Sequence, residues 1–147
     1  MNIEFMEIAL EQAQKAYKKN EVPIGAVIVK DNKIIAKAYN NRNKTQNAVN
    51  HAEILAIQKA CKKLKSWRLD DCDIYVTLEP CPMCAGAILN ARIKNLYYGA
   101  KDKTGTKGIL NAIMSDDRLN HKTNIHEGLL QEECSKILTN FFSQKRK

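Results

Sequence analysis

The sequence predicts an α/β fold in three layers, α/β/α, built on a five-stranded mixed sheet. Helical and strand patterns alternate along the chain, which is typical of a sheet covered by helices. Two β-rich runs are separated only by the turn dipeptide Asp31-Asn32, which predicts an antiparallel hairpin within that sheet. The chain has 147 residues and no linker, repeat or low-complexity segment. This length predicts a single domain over 1–147 with its own core.

In the first third of the chain, the patterns predict a helix followed by the hairpin. Apolar residues recur at helical spacing over 2–19, and Val22-Pro23 ends the pattern. β-branched residues are frequent in 24–30 and 33–39, which form the two hairpin strands. Residues 40–49 are polar, rich in asparagine and without periodicity, so we expect a loop there.

The remainder of the chain alternates between helix and strand. A second helix is predicted over 51–64, and the largely apolar run 72–78 is typical of a strand covered on both faces. Pro82 suits the first position of a third helix, 82–90, because its missing N–H needs no partner there. The other predicted elements are a strand at 96–99, a basic loop at 101–108, a short helix at 110–114, a strand at 124–126 and a helix at 129–144.

Charge and hydropathy limit the possible partners. The chain carries 24 Lys and Arg against 16 Asp and Glu, a net charge of +8, which favours a polyanionic partner such as nucleic acid. The basic residues cluster at Lys62, Lys63 and Lys65, at Lys101, Lys103 and Lys107, and at Lys145-Arg146-Lys147. No apolar run approaches the roughly 18 residues that span a bilayer, and the acidic N-terminus is unlike a signal peptide. We therefore expect a cytoplasmic protein without membrane partners.

Two short segments carry the chemistry: His51-Ala52-Glu53 and Pro80-Cys81-Pro82-Met83-Cys84. Imidazole nitrogen and thiolate sulfur are the ligands that zinc prefers, and a catalytic site keeps three protein ligands. We therefore expect one zinc ion bound by His51, Cys81 and Cys84, with Glu53 free to transfer protons. This H-x-E…P-C-x-x-C pattern is a known signature of zinc-dependent nucleobase deaminases. Of five cysteines, the other three lack ligand spacing, so we expect small buried side chains there rather than disulfides.

The position of the motif at two helix starts has physical consequences. A helix N-terminus carries partial positive charge, which favours the thiolate form of Cys81 and Cys84. Residues two apart on a helix point to opposite sides, so His51 and Glu53 converge only if the site lies over the first turn. This geometric requirement is a test of the proposed roles.

Longer segments resemble the bacterial tRNA adenosine deaminase family of the TadA type. The resemblance rests on residues 21–27, on 75–87 around the cysteines, on 99–102, on Asn120-His121 and on the stretch from 127 to Phe142. It covers nearly the whole chain in order. It implies a cytidine deaminase-like fold, a homodimer, and conversion of the wobble adenosine of a tRNA anticodon to inosine, with an arginine tRNA bearing ACG as the expected substrate.

The resemblance also implies roles for particular residues. It assigns zinc to His51, Cys81 and Cys84, and the proton shuttle beside the zinc-activated water to Glu53. Asn40 would hydrogen-bond the target base, and Asp102 would hold the nucleotides beside it. Lys101, Lys103 and the C-terminal basic residues are candidates for phosphate contacts, and solvated surface charge is the alternative for each.

Two other functions remain compatible with the sequence. A deaminase of the same fold could act on a small substrate such as guanine or cytosine, and it would be insensitive to salt. A structural zinc module that only binds nucleic acid would need a fourth protein ligand, which Cys72 or His121 would have to supply. That module leaves the glutamate beside His51 unexplained.

Overall fold

A computed structural model describes residues 2–102 and 108–145 of the chain. Its five strands form one sheet in the order β2-β1-β3-β4-β5. The strands are β1 (Gly25–Lys30), β2 (Lys33–Tyr39), β3 (Cys72–Leu78), β4 (Asn95–Ala100) and β5 (Asn124–Glu127). The helices are α1 (Ile3–Lys18), α2 (Arg42–Thr45), α3 (Ala52–Leu64), α4 (Pro82–Asn90), α5 (Ile109–Met114) and α6 (Gln131–Lys145).

The sheet is mixed, which confirms the prediction. β1 pairs antiparallel with both β2 and β3, whereas β3, β4 and β5 run parallel. The parallel strands β3 and β4 end side by side, with Leu78 opposite Ala100. The carboxyl ends of parallel strands are where α/β proteins place their binding crevices. The cysteine motif follows β3 directly at this edge.

Helices cover both faces of the sheet because successive strand residues point to opposite sides. In one core, the sheet face that carries Ile28, Ile74 and Leu96 packs against α3, α4 and α5. The other core contains the face of Val27, Tyr75 and Tyr97 together with α1 and α6. These two cores make the predicted three-layer α/β/α architecture, which is confirmed.

Two glycines allow helices to approach the sheet closely. A Cβ atom on Gly25 would lie 1.9 Å from the carbonyl oxygen of Ala9 in α1. A Cβ atom on Gly99 would lie 2.4 Å from the Sγ of Cys134 in α6. Both distances are far below van der Waals contact, so glycine at these positions sets the spacing of the layer formed by α1 and α6.

The predicted loop over 40–49 contains a short helix, α2, so the prediction was wrong for this segment. Four polar residues with no buried side chain give no hydrophobic periodicity, which is why the pattern missed the helix. The other elements differ from the prediction by one or two residues at their ends. Within the described residues, the helices are all too short or too polar to cross a membrane.

Candidate active site

His51 lies at the start of α3 but outside its helical geometry. The structure makes it the N-cap residue, with φ −75° and ψ 154°, whereas the sequence pattern started the helix at His51 itself. An N-cap residue has extended backbone, so its side chain does not follow the helical direction. The imidazole is half-buried and turns its Nδ1 atom toward the two cysteines.

Cys81 and Cys84 lie in the first turn of α4. Cys81 is the N-cap residue and Pro82 occupies the first helical position, as expected of proline. Cys84 is fully buried, and Cys81 is half-buried. Because α3 and α4 both begin at this point, the partial positive charges of two helix N-termini face the same cluster.

The three predicted ligands have the spacing of a zinc site. His51 Nδ1 lies 3.8 Å from Cys81 Sγ and 3.6 Å from Cys84 Sγ. All three potential ligand atoms lie within 4.8 Å of one another. Tetrahedral zinc, with bonds of about 2.3 Å to sulfur and about 2.0 Å to nitrogen, would separate these ligands by roughly 3.5 Å. The residues present therefore fit a zinc ion with three protein ligands.

Glu53 converges on the same cluster from the first turn of α3. Its side chain is only 4% exposed, and its carboxyl group lies near enough to His51 and Cys84 to interact electrostatically with both. Burial raises the pKa of Glu53, so its carboxylate is a stronger base than that of an exposed glutamate. His51 and Glu53 therefore both approach the cluster although they are two apart in the sequence.

The two cysteines have opposite protonation preferences. Hydrogen bonds from the Cys84 thiol, and further ones from His51 and the Cys84 backbone, lower the pKa of Cys81 to about 4. The Cys81 thiolate and burial raise the pKa of Cys84 far above its ordinary value. The protein groups alone therefore favour one thiolate, and a cation is needed to hold both sulfurs in the thiolate form that zinc requires.

Asn40 lies at the end of β2 and is held by backbone groups. Its Nδ2 donates to the carbonyl of Val22 at 3.2 Å, and its Oδ1 accepts from the N–H of Arg42 at 3.3 Å. The side chain is 5% exposed. A carboxamide has two donor hydrogens and two acceptor lone pairs, so each end retains one position for another partner.

Asp102 follows the end of β4, and the strands β1 and β3 lie between it and Asn40. Its backbone N–H donates to the carboxylate of Glu79 at 3.1 Å. Asp102 also lines a groove of about 770 Å³ together with Arg42, Lys101 and Phe142 of α6. The groove combines two cationic side chains with an aromatic ring that is 45% exposed. The sequence analysis assigned no role to Arg42, which stands in no motif, or to Phe142, which it noted only as part of the family-like C-terminal stretch.

The predicted basic contacts are only partly within the described residues. Lys101 forms an ion pair with Glu127 at 3.5 Å, and both side chains are more than half exposed. Lys145 lies over the Phe141 ring, 5.1 Å from its centroid. Lys103, Lys107, Arg146 and Lys147 lie outside the described ranges.

The alternative of a structural zinc module does not fit the geometry. Cys72 begins β3, and the seven residues of that strand separate it from the cysteine motif by about 20 Å. His121 is engaged elsewhere, with Nε2 2.9 Å from the carbonyl of Ile93. Among the described residues, the cluster is limited to His51, Cys81 and Cys84, which leaves a coordination position open.

The fold and this cluster place the chain among the cytidine deaminase-like deaminases. A family model described as MafB19-like deaminase matches residues 2–146. The chain is 46% identical to the tRNA-specific adenosine deaminase of Bacillus subtilis over 144 residues, 97% of this chain and 89% of that protein. A structure from a study of A-to-I editing by tRNA:A34 deaminases at the wobble position superposes with a TM-score of 0.87. It is 43% identical and covers 93% of this chain and all of its own.

The chain belongs to the bacterial tRNA-specific adenosine deaminase family, which confirms the resemblance found in the sequence. Proteins of similar fold include deaminases named for other substrates. A guanine deaminase structure from Bacillus subtilis is 35% identical, with a TM-score of 0.68, and covers 100% of this chain and 96% of its own.

Proposed function

We propose that this protein hydrolyses the wobble adenosine of a tRNA anticodon to inosine and ammonia, with the arginine tRNA bearing ACG as its substrate. The convergence of Glu53 with the His51–Cys81–Cys84 cluster carries the proposed chemistry. Full-length similarity to tRNA-specific adenosine deaminases supports the substrate. Residues 1–147 would act as one deaminase domain in the cytoplasm.

The proposed cofactor is one zinc ion per subunit, held by His51, Cys81 and Cys84. Bound there, zinc would supply Lewis acidity that lowers the pKa of water toward neutrality. With zinc bound, the imidazole would be neutral and both sulfurs would be thiolates, and the N-termini of α3 and α4 would favour these negative ligands.

Glu53 would carry the protons in each turnover. Its carboxylate would accept a proton from water while the oxygen attacks C6 of adenine, the carbon that bears the amino group. It would then deliver protons to the ring nitrogen N1 and to the departing ammonia. Burial suits the first transfer because the raised pKa of Glu53 makes its carboxylate a stronger base toward water.

We propose that Asn40 and the groove beside Asp102 orient the RNA. The open hydrogen-bonding positions of the Asn40 carboxamide would contact the target base. Arg42 and Lys101 would contact phosphates, and the Phe142 ring would offer a stacking surface for a neighbouring base. An anticodon base is already unpaired, so extruding it costs little.

We also propose a homodimer. Val49 and Met83 flank the cluster in sequence and are 45% and 37% exposed, so apolar surface lies beside the site. A second subunit would bury this surface and exclude water from the reacting atoms. Sedimentation equilibrium should give a mass of twice 16.7 kDa, and a monomer at micromolar concentration would contradict this proposal.

A deaminase for a small base is the second candidate, and the 35% identity to a guanine deaminase is the observation that favours it. The groove with Arg42, Lys101 and Phe142 argues against it, because a free base needs no phosphate contacts.

The test is inosine formation in an arginine tRNA with an ACG anticodon, measured beside free adenosine, guanine and cytosine. We expect inosine at the wobble position with zinc-loaded wild-type protein and none with Glu53→Ala. Ammonia from a free base without inosine in the tRNA would overturn the substrate and retain the chemistry. No product from folded, zinc-loaded protein would overturn both.

A further inference from the structure

We infer that Glu21 is a positioning residue for the reaction. Its buried carboxylate holds the segment 40–46, which carries Asn40 and Arg42, in the conformation that receives the RNA. This inference rests on the proposed function of the site, because it assigns Glu21 a role in the same turnover.

The Glu21 side chain is buried and binds backbone groups. It is 1% exposed. Oε1 accepts the N–H of Asn43 at 3.0 Å, and Oε2 accepts the N–H of Lys44 at 2.7 Å. Each carboxylate oxygen therefore has a backbone donor, which offsets the cost of removing the side chain from water.

These two N–H groups are donors in the first turn of α2, and a third, that of Arg42, donates to the Asn40 side chain. The N-cap residue Asn41 makes no capping hydrogen bond. A helix of four residues is far too short to be stable alone. The Glu21 carboxylate, 22 residues away in the sequence, accepts two N–H groups that the helix itself cannot pair, and it thereby stabilises this turn.

The fixed turn is linked directly to the site. The N–H of Arg42, the first residue of α2, donates to Asn40 Oδ1, so the turn orients the carboxamide. The N–H of Asn41 donates to the carbonyl of Asn50 at 3.3 Å, next to His51. Arg42 itself lines the groove beside Asp102.

Glu21 is anchored to a rigid part of the molecule. Its own N–H donates to the carbonyl of Ala16 at 2.9 Å, which closes the turn after α1. α1 in turn packs tightly on β1 at Gly25. The carboxylate thus ties α2, which has no buried residue of its own, to the rigid scaffold, and such supporting contacts preorganise a site.

The test is a double-mutant cycle of Glu21→Gln with Asn40→Ala on an RNA anticodon stem-loop bearing ACG. Glutamine has the same shape, but its NH₂ group faces a backbone N–H, so one hydrogen bond is lost to a donor–donor contact. We expect Glu21→Gln to lower kcat/KM about tenfold or more, with zinc content unchanged. In the Asn40→Ala background the same change should cost less than about threefold, because it acts through Asn40.

Thr123→Val is the matched control. Thr123 is buried and donates from Oγ1 to the carbonyl of Ile93 at 2.8 Å, at the opposite edge of the sheet. Losing this hydrogen bond should lower stability without changing kcat/KM by more than about twofold in either background.

Hydrogen exchange gives a readout that does not depend on turnover. Glu21→Gln should accelerate exchange at the amides of Asn43 and Lys44 and leave the amide of Leu55 in α3 unchanged. The inference would be overturned if the double variant lost kcat/KM by the product of the two single losses. It would also be overturned if Glu21→Gln kept the wild-type kcat/KM. Wild-type protein that forms no inosine would overturn the proposed function itself, and the two failures are therefore distinguishable.

Discussion

At His51 the backbone changes from extended to helical within one residue, and this change determines the geometry of the site. Had His51 been inside the helix, its imidazole and the Glu53 carboxylate would point to opposite sides. As the N-cap residue, His51 turns Nδ1 toward both sulfurs while Glu53 reaches Cys84 from the first helical turn. One ligand and the proton carrier can therefore come from a three-residue segment.

The roles of Glu53 and Cys84 should separate on substitution. Glu53→Ala should keep one zinc per subunit and lose at least about a hundredfold in kcat, because a proton carrier is removed but no ligand. Cys84→Ser should lose the metal, because a hydroxyl is a much poorer zinc ligand than a thiolate. Zinc content by mass spectrometry and initial rates measure both effects. A zinc-free Glu53→Ala protein, correctly folded, would contradict this division of roles.

At the scale of elements, the positions of the residues around the cluster depend on how closely the helices pack on the sheet. α1 crosses β1 where Gly25 has no side chain, and the turn after α1 carries Glu21 to α2. α3 and α4 pack on the other face, with their N-termini at the carboxyl edge of β3. The close approach of α1 is therefore a structural requirement of the site as well as of the core.

Gly25→Ala should strongly destabilise the fold. The added methyl group would meet backbone atoms, Ala9 O at 1.9 Å and Ala13 N at 2.7 Å, which cannot move aside as a side chain can. We expect a loss of about 3 kcal/mol or more in the free energy of unfolding, measured by urea denaturation. Gly86→Ala is the control, because its Cβ meets nothing within 4 Å and alanine favours a helix. Equal stability of the two variants would refute the packing argument.

At the scale of the whole molecule, positive charge is in excess and little of it is neutralised. In the described part of the chain, four ion pairs engage Arg68, Lys101, Arg118 and Lys122. Arg42 stands in the groove outside these pairs, beside Asp102 and near the cluster. The net charge of +8 therefore leaves cationic side chains available for a polyanion.

Salt should weaken the reaction with RNA, and Arg42 should account for part of the effect. Each phosphate contact on single-stranded nucleic acid contributes a slope of about −0.7 in log affinity against log salt concentration. Under subsaturating conditions, Arg42→Ala should make the slope of log kcat/KM shallower by about 0.7. Lys33→Ala removes the same charge from the hairpin turn at the other end of β2, away from the groove, and should leave the slope unchanged. Equal slopes for wild-type protein and Arg42→Ala would exclude a phosphate contact at Arg42.

The sequence alone determined the layers, the sheet and the chemical identity of the cluster. Period-two and helical patterns depend on local backbone geometry, so the ten elements other than α2 could be predicted to within one or two residues at their ends. The ligands of the proposed zinc ion could be named because histidine and cysteine are residue types that zinc prefers and the two cysteines stand three apart.

Only the tertiary structure decided the remainder. α2 has no buried residue, and two of its N–H groups donate to Glu21, a contact across 22 positions that no local pattern encodes. The groove joins Arg42, Asp102 and Phe142, which come from three distant parts of the chain. The convergence of Glu53 on the cluster depends on the cap geometry of His51, which a periodicity argument places inside the helix. Local patterns fix elements and ligand chemistry, whereas long-range packing fixes which side chains meet.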